Sequence, residues 1–111
     1  MAMSWREGKL RSTETTSTIA DGIAIRVPVP ESLLHSRGTH RWVLLVEDES
    51  LIGAMRLVFR HHGLVIEPAG AAGLAAAVVY KARFRGARVA TPLCGGNLTS
   101  DQIRRWLFET E

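Results

Sequence analysis

The 111-residue sequence predicts an α/β fold, part of a twisted and mainly parallel sheet with flanking helices. The first observation is a pair of apolar runs, residues 42–46 and 88–93, that lack polar alternation and are therefore typical of strands buried on both faces. The second observation is that helical patterns separate and follow these runs. Because parallel strands need crossover connections, we expect the two runs to be parallel and joined by helices.

Composition narrows the class of protein. Hydrophobic residues make up 46% of the chain, which is enough for the core of one domain. The net charge of +3 comes mostly from scattered arginines with few aromatics between them, so a nucleic-acid partner is not expected. No apolar run is long enough for a membrane span, and the N-terminus lacks the apolar core of a signal peptide. The single cysteine, Cys94, rules out an internal disulfide and a cysteine metal array, so we expect a cytoplasmic protein without metal or membrane.

The N-terminal part is irregular by sequence. Residues 1–17 show neither a helical period nor clear alternation, and we expect an extended or frayed, flexible lead-in. The apolar patch that follows is interrupted by Asp21 and Gly22, which predicts a turn between two short strands. Residues 31–41 are polar, and residues 36–39 within them predict a loop.

A helix is predicted directly after the first apolar run. Asp48 is a suitable N-cap, and Glu49 lies in the first turn, where the helix dipole favours acidic groups. Residues on one face then recur at helical spacing: Leu51, Ile52, Met55, Val58, Phe59 and His62. Gly63 is placed to end the helix. Because His61 and His62 lie at that end, a capping role is favoured over a metal-binding or catalytic one.

The next predicted helix begins after Glu67, since Pro68 is well placed in a first turn. It is nearly uncharged and consists of small residues, which indicates a helix buried against a sheet at close range. Gly70 and Gly73 lower its helix propensity. The glycines therefore indicate that something approaches the helix backbone, and close packing alone is an equally good explanation.

The C-terminal part predicts one more helix. Residues 80–88 are basic and contain a boundary at Gly86, ahead of the second apolar run. Thr99 or Ser100 would cap an amphipathic helix over residues 100–109. Its inward residues are predicted to be Ile103, Trp106 and Leu107.

The stretch of most chemical interest is residues 94–97, Cys-Gly-Gly-Asn, between the second apolar run and the last helix. It delivers the polar side chain of Cys94 at the carboxyl end of a predicted strand, where open α/β sheets bind ligands. The two glycines allow a positive φ or a close approach of the backbone to a bound group. The plainer alternative is a buried structural cysteine before a turn.

One short stretch, residues 43–49, resembles the opening of a response-regulator receiver domain, where a buried strand ends in acidic residues that hold magnesium. A receiver also needs a phosphoacceptor aspartate after its third strand and a lysine after its fifth. Here the second apolar run leads into Cys94, and the only lysines, Lys9 and Lys81, end no predicted strand. This signalling-domain alternative is therefore the weaker one.

Four motifs support a broader resemblance, and they occur in the order residues 18–24, 47–63, 67–72 and 94–97. Together they resemble the C-terminal third of pyridoxal-phosphate enzymes of the threonine dehydratase, serine dehydratase and serine racemase family. The resemblance implies that residues 18–111 are the C-terminal part of a tryptophan synthase beta-like, fold-type II domain. It also implies a lyase of amino-acid metabolism that converts serine or threonine into an oxo-acid and ammonia, with serine racemisation as the alternative.

The resemblance also assigns cofactor-binding residues. Cys94 matches the position where the family places serine or cysteine beside the pyridine nitrogen of pyridoxal 5'-phosphate, and we add its neighbour Gly95. Gly22 matches a glycine whose backbone lies against the cofactor, and Glu67 matches a glutamate near its ring. A neutral thiol leaves the pyridine nitrogen less protonated than a carboxylate would, which suits elimination.

No part of the sequence matches the family's catalytic lysine, its asparagine near the ring oxygen or its glycine-rich phosphate loop. We therefore expect an incomplete domain, whether a fragment, a truncated product or one piece of a split enzyme, that has no catalytic residue and is inactive alone. The expected partners are a small amino-acid substrate and the missing N-terminal portion or a partner chain, and a homo-oligomer stays open.

Overall fold

The computed structural model describes residues 1–109. Its α-helices are, in chain order, α1 Ala2–Glu7, α2 Pro30–Thr39, α3 Asp48–His62, α4 Pro68–Val79 and α5 Ser100–Ile103. The last helix continues as a π-helical segment, Arg104–Phe108, and 3₁₀ turns cover Asp21–Ile23 and Lys81–Phe84. None of the helices within residues 1–109 is long and apolar enough to cross a bilayer. The chain forms two compact units, residues 1–18 with 23–45, and residues 19–22 with the chain from Val46 onward.

The first unit is built on the packing of α1 against α2. The Trp5 indole N–H donates to the Ser36 carbonyl oxygen at 3.3 Å, and the Arg11 amide donates to the buried Ser4 hydroxyl at 2.9 Å. The predicted extended lead-in is therefore wrong over α1, and the predicted loop at residues 36–39 is wrong because these residues form the end of α2. Pro30 in the first turn of α2 is a helix-start signal that the polar composition concealed.

The second unit is centred on α3 and α4. Its core consists of Ala20, Leu51, Ala54, Met55, Val58, Ile66, Ala71, Ala75 and Leu107. The predicted face of α3 is confirmed for its three buried members and for the partly buried Ile52 and Phe59, whereas His62 is exposed. Gly63 ends α3 in the left-handed conformation, with φ of 66°, as predicted. The predicted N-cap is wrong by one residue, because Glu47 precedes the helix and makes no capping bond through its side chain.

The C-terminal helix is held at both ends. Thr99 forms a reciprocal capping box with Gln102, which confirms one of the two predicted caps. The Arg56 guanidinium of α3 donates to the main-chain carbonyls of Trp106 and Glu109, so it satisfies acceptors at the end of the helix. Leu107 is buried, and Ile103 and Trp106 pack against the core, as the amphipathic pattern predicts.

The two predicted strands lie outside the helices, but no β-strand is present among residues 1–109. None of their side chains is fully buried: Leu45 is 53% and Val89 is 48% exposed, and Val46 is half-buried against the core. The prediction that these residues are buried on both faces is therefore wrong for this chain. A strand needs a hydrogen-bonded neighbour, and burial on two faces needs a layer on each side, which the described residues do not supply.

Candidate functional site

The second unit brings together the residues that the sequence assigns to a cofactor, and Glu67 is their common neighbour. The Glu67 amide donates to the Gly95 carbonyl oxygen at 3.0 Å. A Cβ atom placed on Gly95 would stand 2.5 Å from one carboxylate oxygen of Glu67, and a Cβ on Gly22 would stand 3.6 Å from the same oxygen. The Glu67 carboxylate is therefore close to two positions that lack a side chain.

The Glu67 side chain is not used to cap α4, so it can lie beside Gly22 and Gly95. Glu67 has extended dihedral angles, φ −78° and ψ 160°, and Pro68 opens the helix as the sequence predicts. Its side chain makes no capping hydrogen bond, while its carbonyl oxygen accepts from the Ala71 amide at 3.1 Å. The main chain of Glu67 is thus fixed by the helix on one side and by Gly95 on the other, and the carboxylate remains an acceptor.

Residues 91–95 pack onto α4 at its two glycines. A Cβ on Gly70 would overlap the Cys94 carbonyl oxygen, and a Cβ on Gly73 would overlap the Thr91 hydroxyl. Of the two explanations that the sequence left open for these glycines, close packing of the chain on itself is the one observed. The involvement of Gly70 could not be found from local sequence, because its partner lies 24 residues away.

Cys94 is an exposed free cysteine. The alternative of a buried structural cysteine is therefore wrong, and the thiol is open to a bound group. Gly95 has φ of 71°, in the left-handed region, so the predicted need for glycine is confirmed at this position. Together with Glu67, these residues present a thiol, a carboxylate and an uncovered stretch of backbone.

Gly22 reaches the same region through a 3₁₀ turn. The predicted hairpin is wrong here, because Asp21–Ile23 is helical and no strand flanks it within residues 1–109. The segment is anchored by Asp48 of α3, whose carboxylate accepts from the Ile19 amide at 3.0 Å, and by the buried Ala20. A Cβ on Gly22 would stand 3.3 Å from Cβ of Ala69, so the turn lies close to the start of α4.

We expect Asp48→Ala to lower the free energy of unfolding by about 1–2 kcal/mol, because the half-buried Ile19 amide loses a charged acceptor. Glu49→Ala is the matched control, since Glu49 is an exposed acidic residue in the same first turn. It should cost only a few tenths of a kcal/mol through the helix dipole. Urea denaturation measures both variants, and equal losses would show that Asp48 acts only through the dipole.

A second feature of this unit is a groove of about 310 Å³ at the C-terminal end of α3. Its lining is mainly apolar and includes His61, His62, Leu74 and Leu93. Within residues 1–109, no group of three or more histidine, cysteine, aspartate or glutamate side chains is placed to hold a metal ion.

The chain is similar to known proteins over most of its length. The family model described as pyridoxal-phosphate dependent enzyme matches residues 1–95. The chain is 34% identical to the L-threo-3-hydroxyaspartate ammonia-lyase of a Pseudomonas species over 95 residues, which cover 86% of this chain and 30% of that protein. It is 31% identical to the L-threonine ammonia-lyase of Thermotoga maritima over 105 residues, which cover 95% of this chain and 26% of that protein.

Solved structures of similar proteins also superimpose on this chain. Maize serine racemase superimposes with a TM-score of 0.81 and 27% identity, covering 94% of this chain and 34% of that chain. The threonine deaminase of T.th. gives a TM-score of 0.75 and 30% identity, covering 88% of this chain and 35% of that chain. The chain thus spans between a quarter and about a third of the length of these proteins, whose α/β fold agrees with the predicted class.

Proposed function

The chain belongs to the pyridoxal-phosphate dependent enzyme family, and we propose that it is the C-terminal part of an ammonia-lyase acting on small hydroxy amino acids. The observation that carries the proposal is the gathering of Gly22, Glu67, Cys94 and Gly95 at the start of α4. The relatives named as ammonia-lyases of threonine and of 3-hydroxyaspartate support this class of reaction. The common feature of those two substrates is a hydroxyl group on the β-carbon.

The residues present fit one wall of a cofactor site. Gly22 and Gly95 are exposed, and neither carries a side chain that would stand between its main chain and a flat ring. The exposed Cys94 thiol is a neutral donor and acceptor, which suits a pyridine nitrogen. The Glu67 carboxylate lies beside both glycines and can accept a hydrogen bond from a group held there. Pyridoxal phosphate, when bound, supplies the electron sink for loss of the α-proton and the β-hydroxyl.

No lysine is among the residues of that wall. The ammonium of Lys9 lies 3.8 Å from the Glu7 carboxylate. Lys81 follows the far end of α4, and the 12 residues of that helix span about 18 Å from the Glu67 end. We therefore propose that the lysine and the phosphate loop come from a further portion of the enzyme, and that the chain alone is inactive.

The apolar surface of the second unit supports such a partner. Its exposed large apolar residues include Leu57, Leu64, Val78, Val79, Val89 and Leu93. Side chains of this kind are stabilised when a further layer covers them. We propose that the portion carrying the lysine supplies this layer. We also propose that the complete enzyme acts in the cytoplasm.

A racemase is the second candidate function. It is favoured by the close superposition on maize serine racemase, with a TM-score of 0.81. Loss of the α-proton is common to both reactions, so the wall described here serves either. The two functions differ in the fate of the proton and the hydroxyl, which depends on groups outside this wall.

A reconstitution experiment tests the proposal. The chain is expressed together with the part of the T. maritima L-threonine ammonia-lyase that precedes the matched segment, and each piece is also prepared alone. We expect only the mixture to bind pyridoxal phosphate and to release an oxo-acid and ammonia from threonine, serine or 3-hydroxyaspartate. Formation of D-serine without ammonia would favour the racemase. A stable complex that binds the cofactor and turns over none of these substrates would contradict both functions.

A further inference from the structure

Gly70 meets Cys94 through main-chain atoms. It lies in the first turn of α4 and is buried. A Cβ at this position would overlap the Cys94 carbonyl oxygen and would stand 2.8 Å from the carbonyl carbon and 3.1 Å from the amide nitrogen. Because these are backbone atoms, no change of rotamer relieves the overlap, and any side chain at residue 70 has to displace the backbone of Cys94.

Gly73, the other glycine of α4, packs against a side chain. A Cβ on Gly73 would meet the side chain of Thr91, with Cβ of Thr91 at 3.1 Å. The three nearest atoms all belong to the Thr91 side chain, and none of them is a backbone atom. Gly70 is therefore the glycine of this helix that fixes the backbone at Cys94.

From this packing we propose that Gly70 is a positioning residue, which sets how close Cys94 and Gly95 lie to Glu67. The link is the hydrogen bond from the Glu67 amide to the Gly95 carbonyl oxygen, one residue beyond Cys94. Since Glu67 precedes α4, its amide has no acceptor within the helix and depends on that bond. The packing itself is independent of any cofactor, whereas its importance for the placement of the Cys94 thiol rests on the proposed function.

Two readouts of the 111-residue chain test the positioning role without a cofactor. One is amide hydrogen exchange at Glu67, and the other is the rate at which a disulfide reagent such as DTNB labels Cys94, the single cysteine. In Gly70→Ala we expect exchange at Glu67 to accelerate at least about tenfold relative to amides in the middle of α4. We expect labelling to accelerate about threefold, because residues 94 and 95 lose their fixed support. The helix itself should persist, since alanine is the better helix former.

The matched control is Gly53→Ala in α3, where a Cβ would meet nothing within 4 Å. It should leave both readouts unchanged. If Gly70→Ala equals Gly53→Ala in both readouts, the positioning role is overturned. If Gly70→Ala does not fold while Gly53→Ala does, exchange in the unsubstituted chain decides: a protected Glu67 amide supports the role, and an unprotected one overturns it. A protected amide in a chain whose reconstituted complex binds no cofactor counts against the proposed function alone.

Discussion

Gly95→Ala is expected to lower the free energy of unfolding by about 2–4 kcal/mol. About 1–2 kcal/mol comes from placing a Cβ in the left-handed conformation, since φ of Gly95 is 71°. The remainder comes from collision, because the new Cβ would stand 2.5 Å from a Glu67 carboxylate oxygen in a half-buried place. Urea denaturation followed by circular dichroism measures the loss.

Gly86→Ala separates the two contributions. Gly86 has a similar φ of 75°, but a Cβ there would meet nothing within 4 Å, so only the conformational cost of about 1–2 kcal/mol remains. Glu67→Ala in the Gly95→Ala background removes the colliding carboxylate and should recover the difference between the two glycine variants. Equal costs at positions 95 and 86 would show that Glu67 yields easily, and the site would then not be the tightly packed one described above.

Local chemistry explains which helices the sequence could predict. The start of α4, the end of α3 and the cap of the last helix depend on Pro68, Gly63 and Thr99, whose effects reach only a few residues. The six-residue α1 is too short to be stable by itself, and it is held by the contact between Trp5 and Ser36, 31 residues apart. A tertiary contact of this kind leaves no periodic signal in the chain.

The candidate site likewise combines residues that the sequence could predict with contacts that it could not. The resemblance assigned Gly22, Glu67 and Cys94 to a cofactor, Gly95 was added as the neighbour of Cys94, and the structure brings all four near the start of α4. The sequence could not show that Glu67 binds Gly95 through its amide, because the partners are 28 residues apart. It also could not show that the predicted strands lack partners in this chain, since apolar runs encode a preference for burial and not the layer that buries them.

The largest effect on activity is expected from Cys94→Asp in the reconstituted complex with the T. maritima portion. If residue 94 faces the pyridine nitrogen as proposed, a carboxylate there would keep that nitrogen protonated by charge pairing, which would raise its pKa by about 1–3 units and change the electron sink. We expect elimination to fall by about 10–1000-fold, with a shifted absorbance of the bound cofactor. Cys94→Ser should stay within about threefold of the unsubstituted complex, because serine is a similar neutral donor and acceptor.

Cys94→Ala decides whether the thiol acts on the cofactor or only occupies space. If it partners the pyridine nitrogen, alanine removes the hydrogen bond and should be less active than serine by about three- to tenfold, which corresponds to one bond of about 1 kcal/mol. Because Cys94 is exposed, the three substitutions should differ little in the stability of the isolated chain, and urea denaturation checks this. Equal turnover of the alanine and serine variants on serine and threonine would contradict a role of Cys94 at the nitrogen. If only Cys94→Asp loses activity and that variant is also unfolded, its lower activity is the result of misfolding.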